Sequence, residues 1–257
     1  MVAKKKVLAK KQTTSSTVEE VVEVTVTKTV RKTVKKKLPS VVNIRFVIDR
    51  SGSMAKIKDD TIGGFNAFID EQRDLPGKAK VTYIQFDHEY DTVYRDMDIK
   101  EVPKLNSLNY RPRGYTALYD AIGTALSDGM GNSKAREQNI LVVLTDGNEN
   151  ASKEYTQRDV SSLMTCAENK GWKVVFLGAN IDVAAVARDI GISGWGMVSP
   201  DWSREQLDMF MTKNKGPITM NYSATDVGVR SAYTAASCVV RNMRSTLTTE
   251  DEDKPAV

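Results

Sequence analysis

The chain has 257 residues, 40% of them hydrophobic, a formal net charge of +4 and two cysteines. That apolar content suffices for one α/β domain of ordinary size with its own core. Its longest apolar runs are of strand length, which excludes a membrane-spanning helix and any membrane role built on one.

The charge is unevenly placed. Residues 1–40 carry eleven Lys/Arg against three Glu, so the remainder of the chain is net acidic by four. Residues 1–40 therefore form a basic arm rich in Lys, Thr, Ser and Val. Val22, Val24 and Val26 alternate with polar residues, which suits an exposed strand or β-ribbon; the composition equally suits a solvated, disordered arm. Such an arm can contact nucleic acid or add a strand to a partner. It has no aromatic residues, so base stacking is not supported. The basic start, Met1 to Lys6, has no apolar run behind it, so no secretory signal is expected. Cys166 and Cys238 make no metal-type pair and fit a reducing compartment. A cytoplasmic location follows as an expectation, with a virion as its alternative.

Pro39 marks entry into a globular region, 41–247, and an acidic tail follows at 248–257. Val41–Ile48 is an apolar run that predicts a buried strand. Lys56–Arg73 predicts a helix with Ile57, Phe65, Phe68 and Ile69 on one face; Gly63-Gly64 inside it suggests a close approach to the sheet. Val81–Phe86 is a second strand, and the alternating Thr92–Ile99 predicts an antiparallel edge strand after a polar turn. A loop with Pro112 and Gly114 leads to a helix over Thr116–Met130. Ile140–Thr145 is a buried strand. Thr156 to Asp159 has the form of a capping box for a helix ending near Lys170. Val174–Leu177 is a strand, Asp182 caps a helix to Ile190, Met197-Val198 is a short strand, and Ser203 to Gln206 caps a helix to about Lys213. Thr225 to about Leu247 is a long last helix. Trp172, Trp195 and Trp202 suit packing positions. Strands alternating with helices define a doubly wound, mostly parallel sheet with one antiparallel edge strand and helices on both faces.

Ligands of such sheets bind beyond the carboxyl ends of the strands, at the point where strand order reverses. Asp49, Ser51 and Ser53 follow the first strand at alternate positions, so their oxygens can converge. One carboxylate and two hydroxyls suit a hard cation such as Mg²⁺ or Mn²⁺; the same residues also suit an ordinary turn. Asp146-Gly147 follows a second apolar strand. If the two strands are neighbours, both carboxylates meet in one crevice. Asp87 ends the second strand and either lines this face or starts a turn. His88, the only histidine, is expected exposed in that turn. Arg50, Arg113, Tyr115 and Glu149 border the crevice as candidate partner contacts, although Glu149 also suits a helix N-terminus.

Asp49-x-Ser51-x-Ser53, Thr116 at the start of a helix, and Asp146-Gly147 after a strand together resemble the metal-ion-dependent adhesion site of von Willebrand factor type A domains. The resemblance covers about residues 41–200. Asp146 to Ser152 and Phe176 to Asp182 are similar to tracts of small bacterial and phage-encoded members. The resemblance implies a Mg²⁺ or Mn²⁺ held by Asp49, Ser51, Ser53, Thr116 and Asp146, which takes an acidic side chain of a partner protein. It implies a binding module and not an enzyme. A structural component of a phage particle or large assembly, docked by the arm, is the alternative; a metal-dependent phosphoesterase fits less well, because Asp49-Arg50-Ser51 lacks a second aspartate and no phosphate-binding glycine loop is present. The family often has Gly-Gly before the threonine, where this chain has Gly114-Tyr115.

Overall fold

The computed structural model describes residues 41–134, 137–192, 194, 196–214 and 216–248. The expectations for the arm, the acidic tail and Trp195 lie outside the described residues.

Among the described residues seven strands form one sheet: β1 (Val41–Asp49), β2 (Lys78–Phe86), β3 (Tyr90–Asp98), β4 (Glu137–Thr145), β5 (Lys173–Ala179), β6 (Gly196–Val198) and β7 (Ile218–Tyr222). Their order across the sheet is β3-β2-β1-β4-β5-β7-β6. Of these strands only β3 runs antiparallel, at one edge, as its alternating sequence predicts. Six described α-helices cover the two faces: α1 (Lys58–Arg73), α2 (Leu118–Asn132), α3 (Gln157–Asn169), α4 (Val183–Asp189), α5 (Arg204–Lys213) and α6 (Asp226–Thr248).

The alternation of strand side chains divides the core in two. Val42, Ile44, Phe46 and Ile48 of β1 point to a layer shared with α1, α5 and α6. Val47 points to the opposite layer, built with α2, α3 and α4. Phe46 meets Phe65 and Phe68 of α1 edge-on, with ring centroids 5.3 and 4.8 Å apart.

Several predicted features take a different form. The helix expected from Lys56 is a 3₁₀ turn, Gly52–Ile57, followed by α1. Buried Met54 and Ile57 pin that turn, so the chain bends after Asp49 instead of entering a helix directly. The close approach at Gly64 is to α6, not to the sheet: a Cβ there would lie 2.2 Å from the Tyr233 ring. β7 was not expected. Its polar Thr219 and Asn221 hide a short strand whose Ile218, Met220 and Tyr222 face the core. It separates β5 from the small edge strand β6. Both predicted capping boxes form, at Thr156 and at Ser203.

Arg244, near the end of α6, is almost fully buried. Its guanidinium donates to the carbonyls of Leu75, Pro76 and Gly77 at 2.7, 3.1 and 2.9 Å, and to the Gln72 carbonyl. These carbonyls belong to the last turn of α1 and the loop after it, where no intrahelical donor is available. We predict that Arg244→Met destabilises the domain by about 3 kcal/mol, because several buried acceptors lose a charged donor at once. Arg241→Met, which breaks a half-exposed pairing with Asp208 and Glu71, should cost no more than about 1 kcal/mol. Urea unfolding of both variants checks the contrast; equal losses would deny Arg244 its role.

Candidate metal centre

β1 and β4 are parallel neighbours, with Ile48 beside Leu144. Asp49 and Asp146 therefore emerge at the same edge, where the order of the sheet reverses. Asp49 is fully buried and Asp146 nearly so.

Around Asp49 the chain makes a tight oxygen cluster. The Ser51 amide donates to Asp49 Oδ1 at 2.6 Å, and the Thr145 hydroxyl donates to Oδ2 at 2.7 Å. The Ser51 and Ser53 hydroxyls are 3.1 Å apart. Ser53 Oγ donates to Asp146 Oδ1 at 2.5 Å, which ties the two carboxylate loops together. The Tyr110 hydroxyl holds the Asp49 carbonyl at 2.6 Å from below.

Thr116 precedes α2 instead of beginning it. It is buried, and its backbone exchanges hydrogen bonds with Asn150: the Thr116 amide donates to Asn150 Oδ1 at 2.9 Å, and the Asn150 amide to the Thr116 carbonyl at 3.0 Å. A Cβ at Gly147 would lie 2.8 Å from Thr116 Oγ1. Glycine there lets the threonine hydroxyl press against the strand-end loop that carries Asp146. The structure thus brings Asp49, Ser51, Ser53 and Asp146 into one hydrogen-bonded cluster and sets Thr116 beside it.

The rim differs from the sequence expectation. Arg50 points to Asp87, with Nε 3.0 Å from Oδ2, and is only 11% exposed. Arg113 meets the same oxygen at 2.8 Å and also pairs with Glu89. Both arginines are thus engaged by acids within the domain. Glu149 turns to α2: it accepts from the Tyr119, Ala151 and Ser152 amides and from the Ser152 hydroxyl at 2.7–2.9 Å. Its carboxylate caps the helix start, where the backbone dipole favours it. Tyr115 does stand free on the rim, 69% exposed.

Asp87 is the residue that sequence reasoning undervalued. Fully buried, it binds both arginines, accepts from the Glu89 amide at 2.7 Å, and takes the Ala117 amide on its carbonyl at 2.8 Å. Burial opposes its ionisation, but the Glu89 amide, Arg113 and Arg50 outweigh it and hold the carboxyl below its ordinary range. Asp87, His88 and Glu89 offer ligand atoms within 4.8 Å of one another. The two guanidiniums already supply the positive charge there, so a metal ion would meet repulsion. Thr145, Tyr110 and Asn150 were also missed; each reaches a residue far away in sequence and carries no motif.

The donor set fits a hard divalent cation: carboxylate and hydroxyl oxygens, and no sulfur or imidazole. Electrostatics agree. Burial raises the Asp49 carboxyl to about 6, while the Thr145 hydroxyl and the Ser51 amide pull the other way. Nearby Asp146 adds to the rise, and burial raises Asp146 as well. Two crowded carboxyls short of solvent are relieved either by a proton or by a cation.

A doubly wound sheet with an Asp-x-Ser-x-Ser loop and a second aspartate at its switch point defines a class of domain. The von Willebrand factor type A domain model matches residues 43–212, and the chain belongs to that family. Domains of the family are often metal-dependent adhesion or protein-interaction modules and generally not enzymes. Among solved structures, the PilB minor pilin from Streptococcus sanguinis is similar at 12% identity and a TM-score of 0.53, over 84% of this chain and 64% of that one. Manganese-loaded Plasmodium vivax TRAP protein is similar at 16% identity and a TM-score of 0.42, over 54% and 57%. Proximal thread matrix protein 1 from the mussel byssus shows 15% identity and a TM-score of 0.47, over 78% and 46%. The chain thus spans less than two thirds of each of these. No curated protein sequence matches it. None of the described helices is long and apolar enough to cross a membrane.

The raised Asp49 carboxyl has a signed consequence. An ordinary aspartate titrates near 3.8, so the folded state holds this proton more tightly than the unfolded chain does. The stability it contributes is full below about 4 and is lost as pH rises through about 6. In EDTA, the melting temperature of the wild type relative to Asp49→Asn should therefore fall as pH is raised from about 4.5 to about 7. A difference independent of pH would show that Asp49 ionises as an ordinary carboxyl.

Proposed function

We propose that this chain is a protein-binding module whose Mg²⁺ or Mn²⁺, held by Asp49, Ser51, Ser53, Thr116 and Asp146, takes an acidic side chain of a partner protein. The observation that carries the reading is the bridge from Ser53 to Asp146 across two buried carboxyl loops. It gathers hard oxygens from separate parts of the chain at the one edge where such sheets bind ligands. Bound there, the metal supplies a Lewis-acidic centre with coordination positions left to water or to an incoming carboxylate. The protein's part is to hold the loops. Asp87 fastens the Arg50 and Arg113 loops, Tyr110 supports the Asp49 carbonyl, and Asn150 places Thr116.

A melt of the full chain tests this. Mg²⁺ or Mn²⁺ at about a hundred times its dissociation constant should stabilise the wild type by about 2.7 kcal/mol. For a domain this size that is roughly 5–10 °C above the melt in EDTA. Asp49→Ala should fold and show no metal-dependent shift. Equal shifts in both proteins would place the metal elsewhere, and no shift in either would remove the metal from the function.

Gly147→Ala gives an independent check on Thr116. The added methyl has to displace the Thr116 hydroxyl, so Mn²⁺ affinity measured by calorimetry should drop about tenfold while the fold persists. Unchanged affinity would leave Thr116 outside the ligand set.

A further inference from the structure

Between β3 and α2 the chain runs through residues 99–117 without helix or strand. Connections of more than roughly 12–15 residues without secondary structure are uncommon in compact domains and usually functional. This one is also closely fastened. The Asn66 side chain clasps both the amide and the carbonyl of Leu105, at 2.8 and 2.9 Å. Gln85 donates to the Asn109 carbonyl at 2.7 Å. The Arg113 amide donates to the Arg50 carbonyl at 2.7 Å, and the Gly114 carbonyl accepts from Gly52 at 3.1 Å. The Asn106 side chain closes the turn beneath Leu108.

That fastened loop buries Ile99, Val102, Leu105 and Tyr110 but holds two apolar side chains out into water. Leu108 is 75% exposed and Tyr115 is 69% exposed, the two most exposed large hydrophobics among the described residues. Both flank the metal centre along the chain. Tyr115 adjoins Thr116, and Leu108 lies two residues before Tyr110, whose hydroxyl holds the Asp49 carbonyl. Arg111, between them, is exposed and makes no ion pair among the described residues, unlike Arg50 and Arg113. A loop that needed only to supply Thr116 would have no reason to order two bare apolar side chains and a free cation. Ordering them in advance lowers the entropic cost of binding.

We propose that residues 99–117 are a preformed recognition loop, and that the partner is a protein segment offering an acidic side chain to the metal, an apolar side chain to Leu108 and Tyr115, and a second acid to Arg111. This rests on the metal-binding function above and gives it specificity. The metal selects any accessible carboxylate; the loop selects which one. Aromatic and aliphatic anchors of this kind carry most of the affinity at small interfaces, and a free arginine on the rim discriminates by charge.

The full chain is tested against a displayed library of dodecapeptides with one fixed central glutamate, selected in Mn²⁺ and eluted with EDTA. Enriched peptides should carry Leu, Phe or a similar residue close to the glutamate, together with a second acid. Leu108→Ser and Tyr115→Ser should each weaken binding of an enriched peptide about tenfold while leaving Mn²⁺ affinity unchanged. Arg111→Glu should move the selection from a second acid to a base. Peptides enriched without apolar preference, or variants that bind like wild type, would each overturn the recognition loop alone. A chain that binds no Mn²⁺, no enrichment from a chain that does, or peptides retained equally in EDTA would overturn the metal reading beneath it.

Discussion

A carboxyl group without water sits at the end of a central strand, and the architecture around the crevice answers to it. Asp49 is fixed in place by the register of β1 between β2 and β4. It cannot turn out to solvent without disturbing strands that are buried on both faces. Removing a carboxylate from water is expensive unless donors or a cation replace the solvent. The chain provides donors at once: Ser51 through its own turn, Thr145 from the neighbouring strand. These reduce the penalty without removing it, since the carboxyl still titrates near 6. What remains is a standing preference for positive charge at this point. The switch-point geometry makes that preference accessible from outside, because Ser53 lies exposed above the cluster while Asp49 lies beneath.

The fold was legible because its signals are local. Runs such as Ile140–Thr145 are too apolar for anything but a doubly covered strand, and the boxes at Thr156 and Ser203 set helix starts by hydrogen bonds within four residues. The cluster of Asp49, Ser51, Ser53 and Asp146 was legible for the same reason: alternation after a strand and an aspartate after a strand are both short-range patterns. β7 was hidden because buried Thr219 and exposed Asn221, both polar, dilute the apolar signal over only five residues. Thr145, Tyr110 and Asn150 were hidden for another reason. Each bonds to a residue distant in sequence, and no spacing announces a single long-range hydrogen bond.

The rim shows what a sequence conceals about charge. Arg50 and Arg113 stand beside the motif in the chain and were expected to face a partner. In the fold both converge on Asp87, a residue whose type and position equally suit a turn. A buried aspartate with two guanidiniums is a fastener: with its partners removed, it would be left as an uncompensated buried charge. The consequence is a division of labour among the arginines. Two hold the loops together, and Arg111 is exposed and makes no ion pair among the described residues. Exposure and pairing distinguish the three; their sequence neighbourhood does not.

The same principle explains the role of α6, which lies beyond the family-matched region ending at residue 212. One layer of the core is closed by it: Val229, Ala232, Tyr233 and Ala236 share a cluster with Phe46 and Ile48 of β1 and Phe65 and Phe68 of α1. Gly64 admits the Tyr233 ring at the crossing, and Arg244 locks the far ends of the two helices together. α1 follows directly from the 3₁₀ turn that carries Ser53. The position of that serine therefore depends on how α1 is seated, and α1 is seated as much by α6 as by the sheet. A domain cut at residue 212 would retain the Asp-x-Ser-x-Ser sequence and both carboxylate strands. It would lose β7 and α6, and with them the surface that fixes the turn between Asp49 and α1. The motif is short, but the geometry that makes it a site requires the helix at the other end of the domain.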